Sequence, residues 1–294
     1  MGDFDCLEQL TGKGTSGSSI YRARRRTRLL FATTNATNDD DDDDDVAIKV
    51  ISRKYLARPT FPKSIILHRE LCAMQAIREF PHLHLCPLLD LVHTDHHLGI
   101  VQKMGTGGDL FDYVVSRKRV SRPTALHFLR QLAEATHHLH TVCHFVHRDL
   151  KLENVVLDQD QRNVMVIDYG FALDLTLVTD DTPIQICGTR NYSSPEVILG
   201  ALSLQQLPAG DVWSLGVMFF TMLTGTFPFS NATGNGIHQA NLLAGKYRLP
   251  ADLDKDLADL ISQLLAVSVE QRITLPALLA HPLLKQPHKE KTFK

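Results

Sequence analysis

Hydrophobic and polar positions change their rhythm about a third of the way along this chain. Short apolar runs bounded by turn residues fill the first part, and longer runs at helical spacing fill the rest. Leu7–Leu10 and Ile20–Arg25 read as strands on either side of a glycine-rich turn, and Val46–Ser52 as a third strand that runs into Arg53-Lys54. From Pro62 to Arg78 the apolar residues Ile65, Ile66, Leu71, Met74 and Ile77 recur at helical spacing, with Glu70 among them. Leu88–Val92 and Leu98–Gln102 read as two more strands. Beyond about residue 109 the pattern predicts amphipathic helices over Asp109–Arg117 and Arg122–Thr141, the second with Pro123 in its first turn. Short strands are expected at Val155–Leu157 and Val164–Ile167, around the polar turn Asp158–Asn163. Gly210–Gly225 is apolar enough for a buried helix. Helices are expected again near 236–245, 254–266 and 274–280, and residues 286–294 form a polar tail. The pattern is α+β, with a strand-rich part at about 4–104 and a helical part at about 109–285, joined through a glycine-rich link at about 102–108.

One segment breaks the pattern. Asp39–Asp45 is seven consecutive aspartates behind Thr33-Thr34-Asn35-Ala36-Thr37-Asn38. Like charges in such a run repel and stay solvated, so residues 27–45 read as an inserted loop in the turn before the third strand. Loop closure makes such insertions inexpensive.

Composition narrows the class. The 294 residues suffice for a sizeable core, and 44% hydrophobic with 22% charged residues is ordinary for a globular protein. A formal net charge of −2 gives no field for nucleic acid or an anionic membrane, so neither is expected as a partner. No uninterrupted apolar run reaches the ~18 residues expected of a membrane span. The five cysteines, Cys6, Cys72, Cys86, Cys143 and Cys187, are odd in number and unpaired in spacing. Reduced thiols in a cytoplasmic or nuclear compartment are expected. His137, His138, His140 and His144 cluster, but no Cys/His set has the spacing of a structural zinc site.

Candidate chemistry concentrates in three short stretches. His147-Arg148-Asp149-Leu150-Lys151-Leu152-Glu153-Asn154 places a carboxylate and a carboxamide five residues apart. Fourteen residues on, Asp168-Tyr169-Gly170 follows the apolar run Val164–Ile167. Upstream stands Val46-Ala47-Ile48-Lys49, with Glu70 a further 21 residues along. Phosphoryl transfer needs such parts: an acid to orient and deprotonate a hydroxyl, oxygen ligands for Mg²⁺, and a cation for phosphate oxygens.

In this order the stretches resemble the signature set of the protein kinases, and the likeness covers roughly residues 4–285. It implies a two-lobed kinase fold as a single domain over 1–285, with a small antiparallel sheet plus one helix and then a larger helical lobe. It implies Asp149 as catalytic base, with Lys151, Asn154 and Lys49 completing the catalytic set, and Asn154 and Asp168 as Mg²⁺ ligands. ATP would be held by Gly12, Lys13, Gly14, Thr15, Ser16 and Gly17, by Ala47, Lys49, Glu70, Lys103, Met104, Asp109 and Val156, and by Asp168 through Mg²⁺. Glu70 would orient Lys49, Gln102 would stand at the gatekeeper position, and Tyr169 replaces the usual Phe.

Two details depart from the pattern. Gly12–Gly17 matches G-x-G-x-x-G, but no helix pattern follows, against a dinucleotide-binding fold. The position two residues past Gly17, where the family usually has Val over the adenine, is Ser19, with Ile20 next. Either the strand carries a one-residue bulge or the adenine cover is more polar. Also, Gly17 and Lys49 are 32 residues apart, about twice the family's usual span.

The resemblance implies an ATP- and Mg²⁺-dependent serine/threonine kinase acting on proteins, a signalling enzyme; a monomer is expected, though the sequence does not fix the oligomeric state. Lys151 follows the serine/threonine pattern. Gly107-Gly108-Asp109-Leu110-Phe111-Asp112 and Cys187-Gly188-Thr189 look most like the calmodulin-dependent and AMP-activated group. Asp109 and Glu153 match acidic positions used with basic residues upstream of the target. Glu196 should pair with Arg272, and Asp211 should anchor the catalytic loop. Thr182, or the acids Asp180-Asp181, would serve where relatives carry a loop phosphate for Arg148. The alternative reading is a pseudokinase scaffold with weak or no transfer.

Overall fold

A computed structural model describes residues 4–10, 18–26, 45–57, 63–179, 184–200, 203–230 and 238–285. The glycine run 12–17, the aspartates 39–44, residues 180–182 and the polar tail lie outside these. The chain forms two compact units, Met1–Pro81 with Cys86–Met104, and His82–Leu85 with Gly105–Lys294.

The first unit is an antiparallel sheet with helices. Its strands are β1 (Phe4–Gln9), β2 (Ser18–Arg25), β3 (Asp45–Ser52), β4 (Leu88–His93) and β5 (His97–Lys103), in the order β1-β2-β3-β5-β4. Helix α1 (Arg53–Leu56) follows β3, and α2 (Lys63–Glu79) precedes β4. Phe4, Ala23, Ile48 and Val101 form the sheet's buried cluster, with Val46, Val50 and Val92 packed on it. The short helix α1 has no counterpart in the sequence reading, because four residues are too few to show a period.

Hairpin register settles two questions left open by the sequence. Leu10 N donates to the Ile20 carbonyl at 2.8 Å, and β1 pairs with β2, so Ser18 opens a strand and not a helix, which excludes the dinucleotide-binding reading. Strands β2 and β3 pair without interruption from Ser18↔Ile51 to Arg24↔Asp45. The irregularity falls instead in β1, between Cys6 and Glu8. Ile20 is therefore directly across from Lys49. Cross-strand partners share a sheet face, so Ile20 rather than Ser19 stands on the Lys49 face.

Asp45, the last of the aspartate run, is part of β3 rather than of a loop. It bonds the guanidinium of Arg22 and, at 2.9 Å, that of Arg24. Burial works to raise its carboxyl, but these two arginines outweigh it and hold the group below the usual carboxylate range.

The second unit is mainly helical. Helices α3 (Leu110–Arg117) and α4 (Arg122–Thr141) come first, followed by β6 (Phe145–Val146), β7 (Val155–Leu157), β8 (Val164–Val166) and β9 (Leu173–Asp174). Then come α5 (Pro195–Leu199), α6 (Leu207–Thr224), α7 (Gln239–Leu243), α8 (Lys255–Leu264), α9 (Leu275–Leu279) and α10 (Pro282–Lys285). Helix α6 is buried along nearly its whole length, and Trp213 stacks on Phe229 with ring centroids 5.4 Å apart. The stretch Leu204–Thr224 has the length and mean hydropathy of a membrane-crossing helix, although polar residues interrupt its apolar run. It is 78% buried inside the protein, the situation of a core helix.

His82–Leu85, which the sequence places in the strand-rich part, is attached to the second unit. His84 Nδ1 lies 2.8 Å from the Val164 carbonyl, and Val166 N donates to the His84 carbonyl at 2.9 Å. The His82 ring is 4.9 Å from that of His138 and 5.6 Å from that of His84. Burial, then repulsion from His138 and His84, lowers His82 to about 4, although Glu134 opposes the shift. An unfolded histidine titrates near 6.5, so below that pH the unfolded chain takes up a proton that folded His82 refuses. Stability should fall as pH drops from about 6.5 toward 4. Melting curves of His82→Gln should show a shallower fall in Tm between pH 7 and pH 5 than the parent protein; an equal slope would contradict this.

Candidate active site

In the first unit, Lys49 lies on β3 and Glu70 on α2. The buried residues of α2 include Glu70, Ala73, Met74 and Ile77, spaced i, i+3, i+4, i+7. Glu70 is thus the polar member of the helix's inward stripe and only 2% exposed. A buried carboxylate requires a partner, and Lys49 Nζ supplies it at 2.7 Å. Gln102 is buried, and Lys103 ends β5 with its backbone paired to Val46. Ala47 is buried on β3.

In the second unit the loop after β6 is held from beneath by Asp211 of α6. Asp211 Oδ2 accepts from His147 N and from His140 Nε2, each at 2.8 Å, and Oδ1 accepts from Arg148 N at 2.8 Å. Burial alone would raise this carboxyl, but the interactions with His140 and His147, the His140 hydrogen bond first, outweigh burial and lower it. Three donors at a carboxylate that is 1% exposed fix the loop backbone, as the sequence suggests for Asp211. His147 is fully buried, and burial holds its imidazole below the ordinary range despite the carboxylates of Asp211, Asp149 and Asp168. Arg148 takes φ +67°, a left-handed conformation that a non-glycine residue keeps only when its surroundings enforce it.

That backbone delivers Asp149 into a dense set of donors. Its Oδ1 accepts from Thr189 N at 2.7 Å, while Oδ2 meets Lys151 Nζ at 3.1 Å and Asn154 Nδ2 at 3.2 Å. Lys151 Nζ also donates to Thr189 Oγ1 at 2.8 Å. Asn154 Nδ2 further donates to the Asp149 carbonyl at 2.9 Å. Gly188, before Thr189, has φ +95°, and a Cβ there would come 2.5 Å from the Arg148 carbonyl. Only glycine lets the segment approach closely enough for Thr189 N to reach Asp149. Arg148 Nη2 donates to the Gln185 carbonyl, a second tie between loop and segment.

Asp168 follows β8 with φ +62°, and its Oδ1 accepts from Gly170 N at 3.3 Å. Ile167 N donates to the Asn154 carbonyl at 2.9 Å, which couples the Asp168 turn to the Asn154 turn. Tyr169 is buried, and its hydroxyl donates to the Val166 carbonyl at 2.8 Å, the partner that replacing Phe by Tyr demands. Asp149, Asn154 and Asp168 offer hard oxygen donors only. With the Asn154 nitrogen turned to Asp149, its amide oxygen is left for a cation. Among the described residues no three His, Cys, Asp or Glu side chains are grouped to hold a metal by themselves. Mg²⁺ suits such a set, because it accepts one or two protein oxygens and completes its shell with phosphates and water.

Asp109 caps α3, its Oδ1 accepting from Asp112 N at 2.8 Å, and burial raises its carboxyl. That capping role is additional to the sequence reading. Glu153 is exposed, and its Oε2 accepts from the Tyr192 hydroxyl at 3.0 Å. Glu196 and Arg272 form the expected buried pair, at 2.7 and 3.0 Å. The sequence left Ile20 and Ser19 as alternatives beside the adenine and gave His140 no role. Register selects Ile20, and a contact across 71 positions reveals His140.

Comparison with known proteins agrees with this geometry. Over 221 residues the chain is 34% identical to the probable serine/threonine-protein kinase HSL1 of Saccharomyces cerevisiae, covering 75% of this chain and 14% of that protein. It is 32% identical over 247 residues to the maternal embryonic leucine zipper kinase of Xenopus tropicalis, covering 82% of this chain and 35% of that protein. The Xenopus laevis counterpart is 31% identical over 245 residues, with 81% and 35% covered. The chain thus spans between about a seventh and about a third of the length of these relatives. A family model, the protein kinase domain, matches residues 9–284, and the chain belongs to that family.

Proposed function

We propose that the chain is a serine/threonine protein kinase that transfers the γ-phosphate of Mg-ATP to hydroxyls of protein substrates. The observation that carries the reading is Asp149, buried and gripped by Thr189 N, Lys151 and Asn154 on a loop pinned by Asp211. A carboxylate so held can orient an attacking hydroxyl and take its proton. The hydroxyl oxygen then bonds to the γ-phosphorus as the bond to the β-phosphate oxygen breaks, leaving ADP. Lys151 would balance charge on the transferring group. Lys49, held by Glu70, would bind the α- and β-phosphates. Asn154 and Asp168 would hold Mg²⁺, which would offset the negative charge of the phosphates. Lys103 and Met104 would meet the adenine through their backbone, with Ala47, Ile20 and Val156 against the base and Asp109 at the ribose. The run Gly12–Gly17 would cover the phosphates.

Glu153 supports a preference for basic residues upstream of the target. Its exposed carboxylate uses one oxygen on Tyr192 and keeps the other for a guanidinium. The test is a positional Ser/Thr peptide library with Mg-ATP, run on the wild type and on Glu153→Gln. Phosphate on serine or threonine with Arg selected upstream, and weaker Arg selection in the variant, is expected. Phosphorylation of a small molecule but no peptide would contradict the reading, as would a folded protein with no transfer at all.

A further inference from the structure

The glycine-rich link of the second unit lies against the β7–β8 hairpin, tied to it by backbone hydrogen bonds and one isolated bridge. Gly107 N donates to the Leu157 carbonyl and Leu157 N to the Gly108 carbonyl, each at 2.9 Å, and Asp109 bridges Val156 antiparallel. The approach is close: a Cβ on Gly107 would come 2.0 Å from the Asp158 carbonyl. These bonds leave the Gly107 carbonyl oxygen for another partner. Gln161, at the tip of the hairpin, provides it.

Gln161 Nε2 donates to the Gly107 carbonyl at 3.1 Å. The other end of the same amide, Oε1, accepts from Arg117 Nη2 at 3.0 Å. Arg117 ends α3, with its guanidinium 3.7 Å from the centroid of the Tyr113 ring. The hairpin tip that aims Gln161 is itself stiff. Asp158 Oδ1 accepts from Arg162 N at 2.8 Å and Asn163 N at 3.0 Å, and Gln161 takes φ +56°. Helix α3 starts at its cap Asp109, two residues past Gly107. One carboxamide therefore closes a ring that runs from Gly107 through Gln161, Arg117 and α3 back to Asp109.

We infer that Gln161 is a positioning residue for the nucleotide, holding the Gly107–Asp109 segment in place through its two-ended amide. The inference rests on the kinase reading above, in which Asp109 meets the ribose and Lys103 and Met104 meet the adenine. Gln161 touches no reacting atom, so its loss should weaken nucleotide binding without slowing the chemical step.

Two variants separate positioning from mere support. Gln161→Ala removes both bonds. Gln161→Glu keeps side-chain size and an acceptor for Arg117, but turns a carboxylate toward the Gly107 carbonyl. Steady-state kinetics should show KM for ATP raised about 3- to 10-fold in both, as loss of about 1 kcal/mol of hydrogen bonding gives. kcat and KM for peptide should stay within about two-fold of wild type. If Gln161 serves only to anchor Arg117, Gln161→Glu will match wild type, and the inference fails. It fails equally if KM for ATP is unchanged in both variants while the wild type is active. A wild type that is folded but silent in the same assay would overturn the kinase reading itself, and this role with it.

Discussion

Asp149→Asn should lower kcat by about 10²- to 10⁴-fold, the range for removing a general base, while the protein stays folded. The substitution is nearly isosteric. The Asn carbonyl oxygen can still accept from Thr189 N, which now contacts Asp149 Oδ1 at 2.7 Å. What disappears is the proton acceptor and the charge that Lys151 Nζ meets at 3.1 Å. KM for ATP should move little, since Asp149 would contact the attacking hydroxyl rather than the nucleotide. Asp168→Asn should behave differently. It weakens a proposed Mg²⁺ ligand, so its activity should recover partly as Mg²⁺ is raised, and that of Asp149→Asn should not. Steady-state kinetics across a Mg²⁺ series distinguishes the two. Equal rescue of both variants would mean that the two aspartates do not divide the work in this way.

Arg272→Ala should cost about 3–5 kcal/mol of stability, the usual result of stripping one partner from a buried ion pair. The Arg272 side chain is fully buried, and its guanidinium bonds both oxygens of Glu196 at 2.7 and 3.0 Å. It also donates to the carbonyls of Ala209 and Ala266, at 2.8 and 3.0 Å, and lies over the Trp213 ring. One side chain thus ties the end of the segment that carries Thr189 to α6 and to the turn before α9. Tm should fall on the order of 10 °C. The pH dependence follows from Glu196. Burial would raise its carboxyl, but hydrogen bonds and charge from Arg272 outweigh burial and lower it. A carboxyl depressed on folding adds stability above its unfolded value near 4.3 and loses it as pH falls further. The gap between wild type and Arg272→Ala in urea denaturation should therefore be wide at pH 7 and narrower at pH 3.5. A gap of under about 1 kcal/mol at pH 7 would be that of an exposed pair and would exclude a structural role for this one.

Local signals carried much of this protein. The strands of the first unit show as short apolar runs, and α2 and α4 as helical periods, because each buries one face or stripe. Glu70 is visible as a carboxylate within an apolar helix, a position that itself calls for a cation. Other features depend on distances that sequence does not encode. The resemblance implies that Asp211 anchors the catalytic loop, but not that it also takes a hydrogen bond from His140, 71 positions away. His82–Leu85 sits in a strand-rich stretch of sequence, yet it pairs with β8 and belongs with it to the second unit. Ser19 stands where the family pattern expects the adenine cover, but the register of β2 on β3 gives that face to Ile20. Gln161 looks like any polar turn residue until the hairpin brings it to Gly107.

The most direct test of the central claim is transfer of ³²P from [γ-³²P]ATP to a serine- and threonine-containing protein or peptide, with and without Mg²⁺, followed by phosphoamino acid analysis. The account predicts Mg²⁺-dependent label on phosphoserine or phosphothreonine, lost in Asp149→Asn. Label confined to phosphotyrosine, label that persists in Asp149→Asn, or no transfer by the folded wild type would contradict it.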